Sequence, residues 1–332
     1  MTPGLFQQIE ELYHAAREGT AEERAALLAR TDPELRREVE ALLAQPSSGE
    51  FLDRPAIQNV PELLEDSTVA GLTTGACLGP YRIESKLGEG GMGEVFRAID
   101  TRLGRAVAIK IAHERFSSLF EREGRTISSL NHPHICTVYD VGPNYLVMEL
   151  VEGETIAARL KSGPLPIKTA LLYASQITAA LAEAHGKGIV HRDLKPGNIM
   201  IAKSGVKVLD FGLAKSGTDQ TATASHMVMG TPGYMAPEQL KREAIDARAD
   251  IFAYGVTAYE LLTNQKPFPG NSPGEILAAQ MEPSGPVAPR EHNPDLPPGL
   301  EKVVLKCLER EPDRRYPFSG MMLRDLQAAL YV

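Results

Sequence analysis

The chain has 332 residues, which is enough for one large domain or two smaller ones. Hydrophobic residues make up 43% of it and charged residues 23%, as in ordinary soluble globular proteins. The formal net charge is −8 and no basic run stands out, so the composition argues against a nucleic-acid-binding surface and we expect no nucleic acid partner.

The three cysteines, Cys77, Cys136 and Cys307, lie far apart and form no CxxC pair. Neither a zinc site nor a disulfide framework is therefore predicted, and we expect a reducing compartment. The N-terminus has no basic segment followed by an apolar core, and no apolar run reaches about 18 residues, so we expect neither a signal peptide nor a membrane span. A cytoplasmic location follows. A membrane span beyond Val332 would instead make this the cytoplasmic part of a longer receptor.

Residues 1–45 are predicted to form a small helical segment. Apolar residues recur at helical spacing from Leu5 to Ala16. Thr20 and Glu23 form a capping-box pattern that opens a second helix. Residues 46–79 show poor periodicity and many Pro, Gly, Ser and Thr residues, which is typical of a linker.

From Tyr81 onward the sequence predicts strands first and helices later. Three short strands, Tyr81–Leu87, Gly93–Asp100 and Ala106–Ile111, are separated by turns. A long helix is predicted over Leu171–Ala184, and the chain after Asp250 is mainly helical with proline-rich connections. This order is typical of an α+β domain with two lobes.

The stretch Gly88–Val95, with the sequence GEGGMGEV, fits the pattern GxGxxGxV. Alone this pattern is weak, because it also fits a dinucleotide site or a plain glycine hairpin. The residues after it, Glu94–Ile99, alternate as in a strand, whereas a dinucleotide fingerprint would open a helix. A β-hairpin whose glycines let backbone N–H groups close over phosphates is therefore favoured.

Lys110 ends the string Val107-Ala108-Ile109-Lys110. Apolar neighbours hold such a strand in place, so its lysine can reach phosphate oxygens in a cleft if a carboxylate on a nearby helix orients it. Ser118 and Glu121 form a capping box at the start of that helix. Glu123 is then the predicted partner of Lys110, and Glu121 is the competitor, with the cap as its favoured role.

The string His191-Arg192-Asp193-Leu194-Lys195-Pro196-Gly197-Asn198 is the most specific in the chain. Asp193 can orient or deprotonate a hydroxyl, Lys195 can neutralise a transferring phosphoryl group, and Asn198 can coordinate a metal. Asp210, in Asp210-Phe211-Gly212, follows the apolar strand Val206–Leu209 and can ligate Mg²⁺ through oxygen.

With Ala236-Pro237-Glu238 downstream, residues 80–331 resemble the catalytic domain of the bacterial eukaryotic-like (Hanks-type) serine/threonine protein kinases. The resemblance implies a bilobal α+β fold, with a β-rich N-lobe and a helical C-lobe. It also implies transfer of the γ-phosphate of ATP to Ser or Thr of protein substrates, with ATP and Mg²⁺ as cofactors and Mn²⁺ as an alternative metal.

The resemblance further implies an ATP pocket. Adenine would contact the backbone of Glu149 and Val151, with Met148 as gatekeeper, and would lie between Val95, Ala108 and Met200. The implied ATP-binding residues are Leu87, Gly88, Glu89, Gly90, Gly91, Met92, Gly93, Glu94, Val95, Ala108, Lys110, Met148, Glu149, Val151 and Met200.

The family also implies several structural contacts. A hydrophobic column of Ile127, Val138, His191 and Phe211 would link the lobes. Asp250 would anchor this column, and Glu238 would pair with Arg315.

Serine/threonine specificity rests on Lys195, two residues after Asp193, and on Gly230-Thr231-Pro232, in which the Thr231 hydroxyl would bridge Asp193 and Lys195. Arg192 is typical of kinases that are activated by phosphorylation in the activation segment. The acceptor candidates are Thr218, Thr221, Thr223 and Ser225, with Thr223 and Ser225 favoured by their distance from Gly230.

The chain departs from the family in two short connections, between Lys110 and Glu123 and over Asp140–Tyr145. Gly124 also weakens its helix by about 1 kcal/mol relative to alanine. We therefore expect that helix to rest outward until phosphorylation or a partner moves it. Residues 1–45 could dock on the kinase domain, mediate self-association or act as a spacer. The rival functions are an ATP-binding pseudokinase and a small-molecule kinase.

Overall fold

The structure is a computed structural model that describes residues 73–90, 93–111, 124–142, 145–211 and 231–330. All of these belong to the second of the two units into which the chain divides, Val69–Val332. The predicted helical segment 1–45 and the linker up to residue 72 lie outside the described residues. The domain boundaries at 45 and 79 therefore stay predictions.

An antiparallel six-stranded sheet forms the first half of the described chain. Its strands are β1 (Cys77–Leu78), β2 (Tyr81–Gly90), β3 (Gly93–Asp100), β4 (Arg105–Ile111), β5 (Val138–Gly142) and β6 (Tyr145–Glu149). Their spatial order is β1-β2-β3-β4-β6-β5. The three predicted strands are confirmed, and β1 adds a short edge strand within the last residues assigned to the linker.

Strand β4 explains how this sheet presents Lys110. Successive side chains of a strand point to opposite faces. Val107, Ile109 and Ile111 pack into one buried cluster with residues of β2, β3 and β6. Ala108 belongs to the other, larger core, and Lys110 shares its face. The alternation thus sends the lysine towards the second half of the domain.

The second half is mainly helical. Its helices are α1 (Ile156–Leu160), α2 (Ile167–Gly186), α3 (Pro237–Leu240), α4 (Ala247–Thr263), α5 (Pro273–Met281), α6 (Pro289–His292), α7 (Pro298–Cys307) and α8 (Ser319–Leu330). A small antiparallel sheet joins β7 (Glu154–Thr155), β8 (Ile199–Ala202) and β9 (Gly205–Val208). The predicted long helix is confirmed as α2.

Helix α4 lies at the centre of the helical half, because nearly all of its residues from Ala249 to Leu262 are buried. It packs against α2 and α7, and α8 packs against α2. Strands β8 and β9 of the small sheet carry the chain from residue 199 to residue 208. The predicted catalytic and metal-binding residues of the neighbouring loops come shortly before and shortly after this stretch. The α+β architecture with a β-rich and a helical half is therefore confirmed.

Candidate active site

The loop between α2 and β8 brings three predicted site residues together. The Lys195 ammonium donates to Asp193 Oδ2 at 2.9 Å and to Thr231 Oγ1 at 3.3 Å. The Asn198 amide nitrogen donates to the Asp193 backbone carbonyl at 2.8 Å and to Asp193 Oδ2 at 3.2 Å. The Asp193 carboxylate is therefore held from two sides, and Lys195 is the group that links it to Thr231.

Asp250 of α4 holds the backbone just before Asp193. Its carboxylate is 1% exposed and accepts the His191 N–H at 2.6 Å and the Arg192 N–H at 2.8 Å. Arg192 has a φ of 66°, a left-handed conformation that costs free energy for a non-glycine residue and persists where its surroundings impose it. The predicted role of Asp250 as an anchor is confirmed by these contacts.

Lys110 reaches Asp210 from the opposite half of the domain. Its ammonium lies 2.9 Å from Asp210 Oδ1, and its side chain is 10% exposed. Asp210 has a φ of 56°, a left-handed conformation two residues after the end of β9. Glu123, the predicted partner of Lys110, lies outside the described residues, as does its competitor Glu121, so that pair stays a prediction.

The predicted hydrophobic column is partly visible. The rings of His191 and Phe211 lie 4.6 Å apart between centroids. Ile127 and Phe211 belong to the main buried core, and Val138 packs against it.

Gly124 permits a close approach between the helical residues 124–128 and β5. A Cβ atom built on Gly124 would lie 3.1 and 3.2 Å from two methyl carbons of Val141. An alanine would gain about 1 kcal/mol of helix propensity, but Val141 would have to move by a few tenths of an ångström. The glycine therefore has a packing reason that the sequence does not reveal.

His191 is neutral in this site. Its Nε2–H donates to the Leu209 carbonyl at 2.8 Å, and its Nδ1 accepts the Asp193 N–H at 3.3 Å. Together these two bonds require that Nε2 carries a proton and that Nδ1 does not. Burial lowers the pKa of His191, since it disfavours the charged form.

We expect His191 to make stability depend on pH. Its pKa is about 6.5 in the unfolded chain and lower in the folded one. Its contribution is therefore present above about pH 6.5 and is lost as the pH falls below that value, because the unfolded chain then binds more protons. The free energy of unfolding should drop between about pH 7.5 and pH 5.5, by at most about 1.4 kcal/mol per pH unit from this group.

The measurement is chemical denaturation of the wild type and of His191→Phe at both pH values. The phenylalanine variant keeps an aromatic ring but cannot titrate, so its own drop should be smaller. Equal drops in the two proteins would contradict the assignment.

The glycine stretch forms the expected hairpin. Gly88 pairs with Val95, Glu89 with Glu94, and Gly90 with Gly93, so no helix opens after it and the dinucleotide reading is wrong. The Lys86 ammonium binds both Glu89 and Glu94, at 2.7 and 2.5 Å. Leu87 is half exposed, and Gly91 and Met92 lie outside the described residues.

The other predicted ATP-binding residues lie on β3, β4, β6 and β8 and in the segment directly after β6. Ala108 pairs with Met148 across β4 and β6. Val95 and Val151 pack against the same core as these two residues. Met200 lies in β8 and pairs with Lys207.

The sequence did not reveal the partners of Glu149. Its carboxylate binds the Lys207 ammonium at 2.8 Å, and its carbonyl accepts the Cys136 thiol at 3.6 Å. Burial raises the pKa of Cys136 to about 12, so this thiol is protonated near neutral pH. These residues lie on separate segments, and no spacing rule connects them.

The segment after Asp210 is only partly described. Thr218, Thr221, Thr223 and Ser225 lie outside the described residues, so the predicted phosphorylation sites stay predictions. Beyond them, Arg315 binds both carboxylate oxygens of Glu238, at 2.7 and 2.9 Å. The predicted Glu238–Arg315 pair is therefore confirmed.

Comparison with known proteins identifies relatives. Residues 81–325 match the protein kinase domain family. The chain is 43% identical over 271 residues to a probable serine/threonine-protein kinase of Streptomyces coelicolor, covering 76% of this chain and 40% of that protein. It is 40% identical to the serine/threonine-protein kinase PknB of Mycolicibacterium smegmatis, covering 74% of this chain and 42% of PknB.

PknA, a serine/threonine-protein kinase of Mycobacterium tuberculosis, is 39% identical, with 73% of this chain and 59% of PknA covered. The alignments thus cover only 40 to 59% of the length of these curated relatives. The crystal structure of the PknI kinase domain of Mycobacterium tuberculosis aligns with a TM-score of 0.62 at 24% identity, covering 78% of this chain and 99% of that one. The fold is shared, and the chain belongs to the protein kinase family, in the group of bacterial Hanks-type serine/threonine kinases.

Proposed function

We propose that this chain is a protein kinase that transfers the γ-phosphate of ATP to serine and threonine hydroxyls of proteins. The observation that carries the proposal is the position of Lys195, whose ammonium contacts both Asp193 and Thr231. A carboxylate held beside a cation is suited to receive a hydroxyl proton while the cation neutralises the phosphoryl group that moves to the oxygen.

Asp193 is the proposed group that orients and deprotonates the acceptor hydroxyl. Two donors, Lys195 and the Asn198 amide, fix its carboxylate, and the Asp250 contacts fix the backbone before it. Such fixed contacts would leave little to reorganise at the moment of transfer. Thr231 would lie beside the acceptor hydroxyl, and its presence supports serine and threonine as the acceptor residues.

Lys110 is the proposed contact to the α- and β-phosphates, and Glu123 the proposed group that orients it. Asp210 and Asn198 are the proposed metal ligands, and their oxygen atoms fit the preference of Mg²⁺ for one or two protein oxygens plus substrate phosphates. A bound divalent cation would supply positive charge that offsets the negative charge of the phosphate oxygens. We propose Mg²⁺ as that cation, with Mn²⁺ as the alternative.

The nucleotide would enter between the glycine hairpin and the end of β6. Backbone N–H groups of the hairpin would cover the phosphates, and the backbone of Glu149 and Val151 would contact adenine. Three apolar side chains, Val95, Ala108 and Met200, would enclose the ring, with Met148 behind it. The pairing of Ala108 with Met148 and the burial of both support this placement.

Incubation with γ-labelled ATP and a generic protein substrate tests the proposal. We expect label on protein in Mg²⁺, and in Mn²⁺ if that metal substitutes, with none after chelation. Acid hydrolysis should yield phosphoserine and phosphothreonine, whereas phosphotyrosine alone would contradict the specificity. ATP binding without transfer would identify a pseudokinase, and transfer only to small molecules would identify a small-molecule kinase.

Autophosphorylation is proposed for the segment between Asp210 and Thr231, with Thr223, Ser225 and Thr221 as acceptors. The presence of Arg192 supports it, because a phosphate can pair with a guanidinium. Phosphopeptide mapping after incubation with Mg-ATP should find label between residues 217 and 229. An active enzyme with that stretch unmodified would exclude this regulation.

A cytoplasmic site of action is proposed, and the three cysteines, all free, support it. Helices in the described part of the chain are too short or too polar to cross a membrane. The N-terminal segment 1–45 is proposed to dock on the kinase domain or to mediate self-association. Deleting residues 1–60 and measuring activity and oligomeric state separates these roles from that of a spacer.

A further inference from the structure

Three buried polar side chains connect helix α8 to the loop that carries Asp193. Ser319, at the start of α8, places its Oγ 2.6 Å from Nδ1 of His185, near the end of α2. His185 Nε2 lies 2.8 Å from Asp250 Oδ2. Ser319 and Asp250 are each 1% exposed, and the His185 side chain is 5% exposed. Water therefore cannot readily replace a missing partner here.

At its other end, this series of contacts acts directly on the loop between α2 and β8 that carries Asp193, here called the catalytic loop. The same Asp250 carboxylate accepts the N–H groups of His191 and Arg192. Those two peptides precede Asp193, and Arg192, directly after the second of them, adopts its left-handed conformation. The position of the Asp250 carboxylate thus determines how the turn presents Asp193.

The hydrogen bonds also select the tautomer of an uncharged His185 ring. Asp250 accepts hydrogen bonds, so an uncharged ring carries its proton on Nε2 to donate to it. Nδ1 is then an acceptor and needs a donor. The Ser319 hydroxyl is the donor within reach, and it therefore favours the tautomer that Asp250 requires.

We propose that Ser319 is a positioning residue of the catalytic loop, acting through His185 and Asp250 on the turn that presents Asp193. The proposal rests on the proposed kinase function. It gives helix α8, whose own residues are remote in sequence from the site, a defined part in orienting the acceptor-binding carboxylate.

Steady-state kinetics of Ser319→Ala provides the first test. Without the hydroxyl, Nδ1 of His185 loses its donor and the Nε2–H no longer has a fixed direction. We expect kcat to fall roughly ten- to a hundredfold, because small displacements of a reacting group have effects of that size. The KM for ATP should change less than about twofold, since the nucleotide contacts are untouched. Ser319→Thr keeps the hydroxyl and should restore most of kcat.

Thr178→Val is the matched control. Thr178 is also fully buried on α2, but its hydroxyl donates to the Ala174 carbonyl of its own helix. It should lower stability without lowering kcat more than about twofold. If Thr178→Val and Ser319→Ala lowered kcat equally, the effect would reflect general loosening of the helical half, and the proposal would be wrong.

A double-mutant cycle separates the His185 route from other effects. In His185→Gln the side-chain amide can donate to Asp250 whichever residue occupies position 319. Adding Ser319→Ala to this background should therefore cost little, although the same change costs at least about tenfold in the wild type. Equal costs in both backgrounds would show that Ser319 does not act through His185.

The ¹⁵N shifts of the imidazole rings report the tautomer without any turnover. Wild-type His185 should show a protonated Nε2 and a bare Nδ1, and Ser319→Ala should change this pattern. An unchanged pattern would overturn the proposal even if kcat fell. If the wild type transferred no phosphate at all, the proposed kinase function would fail, yet the tautomer would still decide whether Ser319 sets His185.

Discussion

Replacing Asp193 by Asn should abolish phosphoryl transfer while ATP binding stays close to that of the wild type. The amide has the shape of the carboxylate but cannot accept the hydroxyl proton. Because it is uncharged, it also forms no ion pair with Lys195, whose ammonium lies 2.9 Å from the Asp193 carboxylate. A positioned general base contributes about a hundred- to ten-thousandfold to a rate. We therefore expect kcat to fall by about a thousandfold or more.

Transfer of labelled phosphate and calorimetric titration with Mg-ATP measure the two effects separately. Asp295→Asn, at an exposed position in the helical half, is the matched control for loss of one carboxylate and should behave as the wild type. A wild-type rate in Asp193→Asn would remove Asp193 from the role of base. Loss of ATP binding would instead place Asp193 among the nucleotide contacts.

Replacing Arg315 by Met should cause the largest loss of stability among single substitutions in the helical half. The Arg315 side chain is 0% exposed and that of Glu238 is 7% exposed. Arg315 also donates to the backbone carbonyls of Glu309, Arg248 and Arg310 at 2.7 to 3.0 Å. Removing one partner of a buried ion pair leaves an uncompensated charge, which costs about 3–5 kcal/mol.

The expected fall in Tm is roughly 6 to 20 °C for a domain of this size, measured by calorimetry or circular dichroism. Arg324→Met on α8 is the control, because Arg324 is 74% exposed in its contact with Asp325 and should cost less than about 1 kcal/mol. The double variant Glu238→Gln, Arg315→Met should recover part of the loss, since no buried charge remains. A loss under about 1 kcal/mol in Arg315→Met would show that the pair contributes little.

The location of Glu238 gives this pair a functional consequence. Glu238 lies in α3, seven residues after Thr231 in the chain, and its carboxylate is fixed by Arg315 from beyond α7. The pair therefore ties the segment that follows Thr231 to the end of the helical half. In Arg315→Met we expect Thr231 to be held less firmly against Lys195.

Local patterns predicted much of the site. The alternation in β4 was sufficient to place Lys110 on the face opposite Ile109, because successive side chains of a strand must alternate. The glycine hairpin followed from the strand-like residues after it. The short spacing between Asp193, Lys195 and Asn198 brought these residues together within one loop.

Distant contacts were predicted only where the family resemblance supplied them. Asp250 beneath the catalytic loop and the Glu238–Arg315 pair are two such cases. Without that resemblance, nothing in the spacing of Asp250 and His191 indicates that a carboxylate accepts two backbone N–H groups. The family resemblance gave no expectation for the partners of Glu149 or for the contact between Ser319 and His185. The sequence did not reveal these contacts.

The sequence by itself determined which chemical groups this protein has and which face of each strand or helix they occupy. It did so because periodicity and motif spacing act over a few residues, where backbone geometry is fixed. Only the tertiary structure decided which remote side chains complete the site, such as Ser319 behind His185 and Lys207 beside Glu149. Those pairings depend on how α2, α4, α8 and the two sheets pack, and that packing is set by the whole core at once.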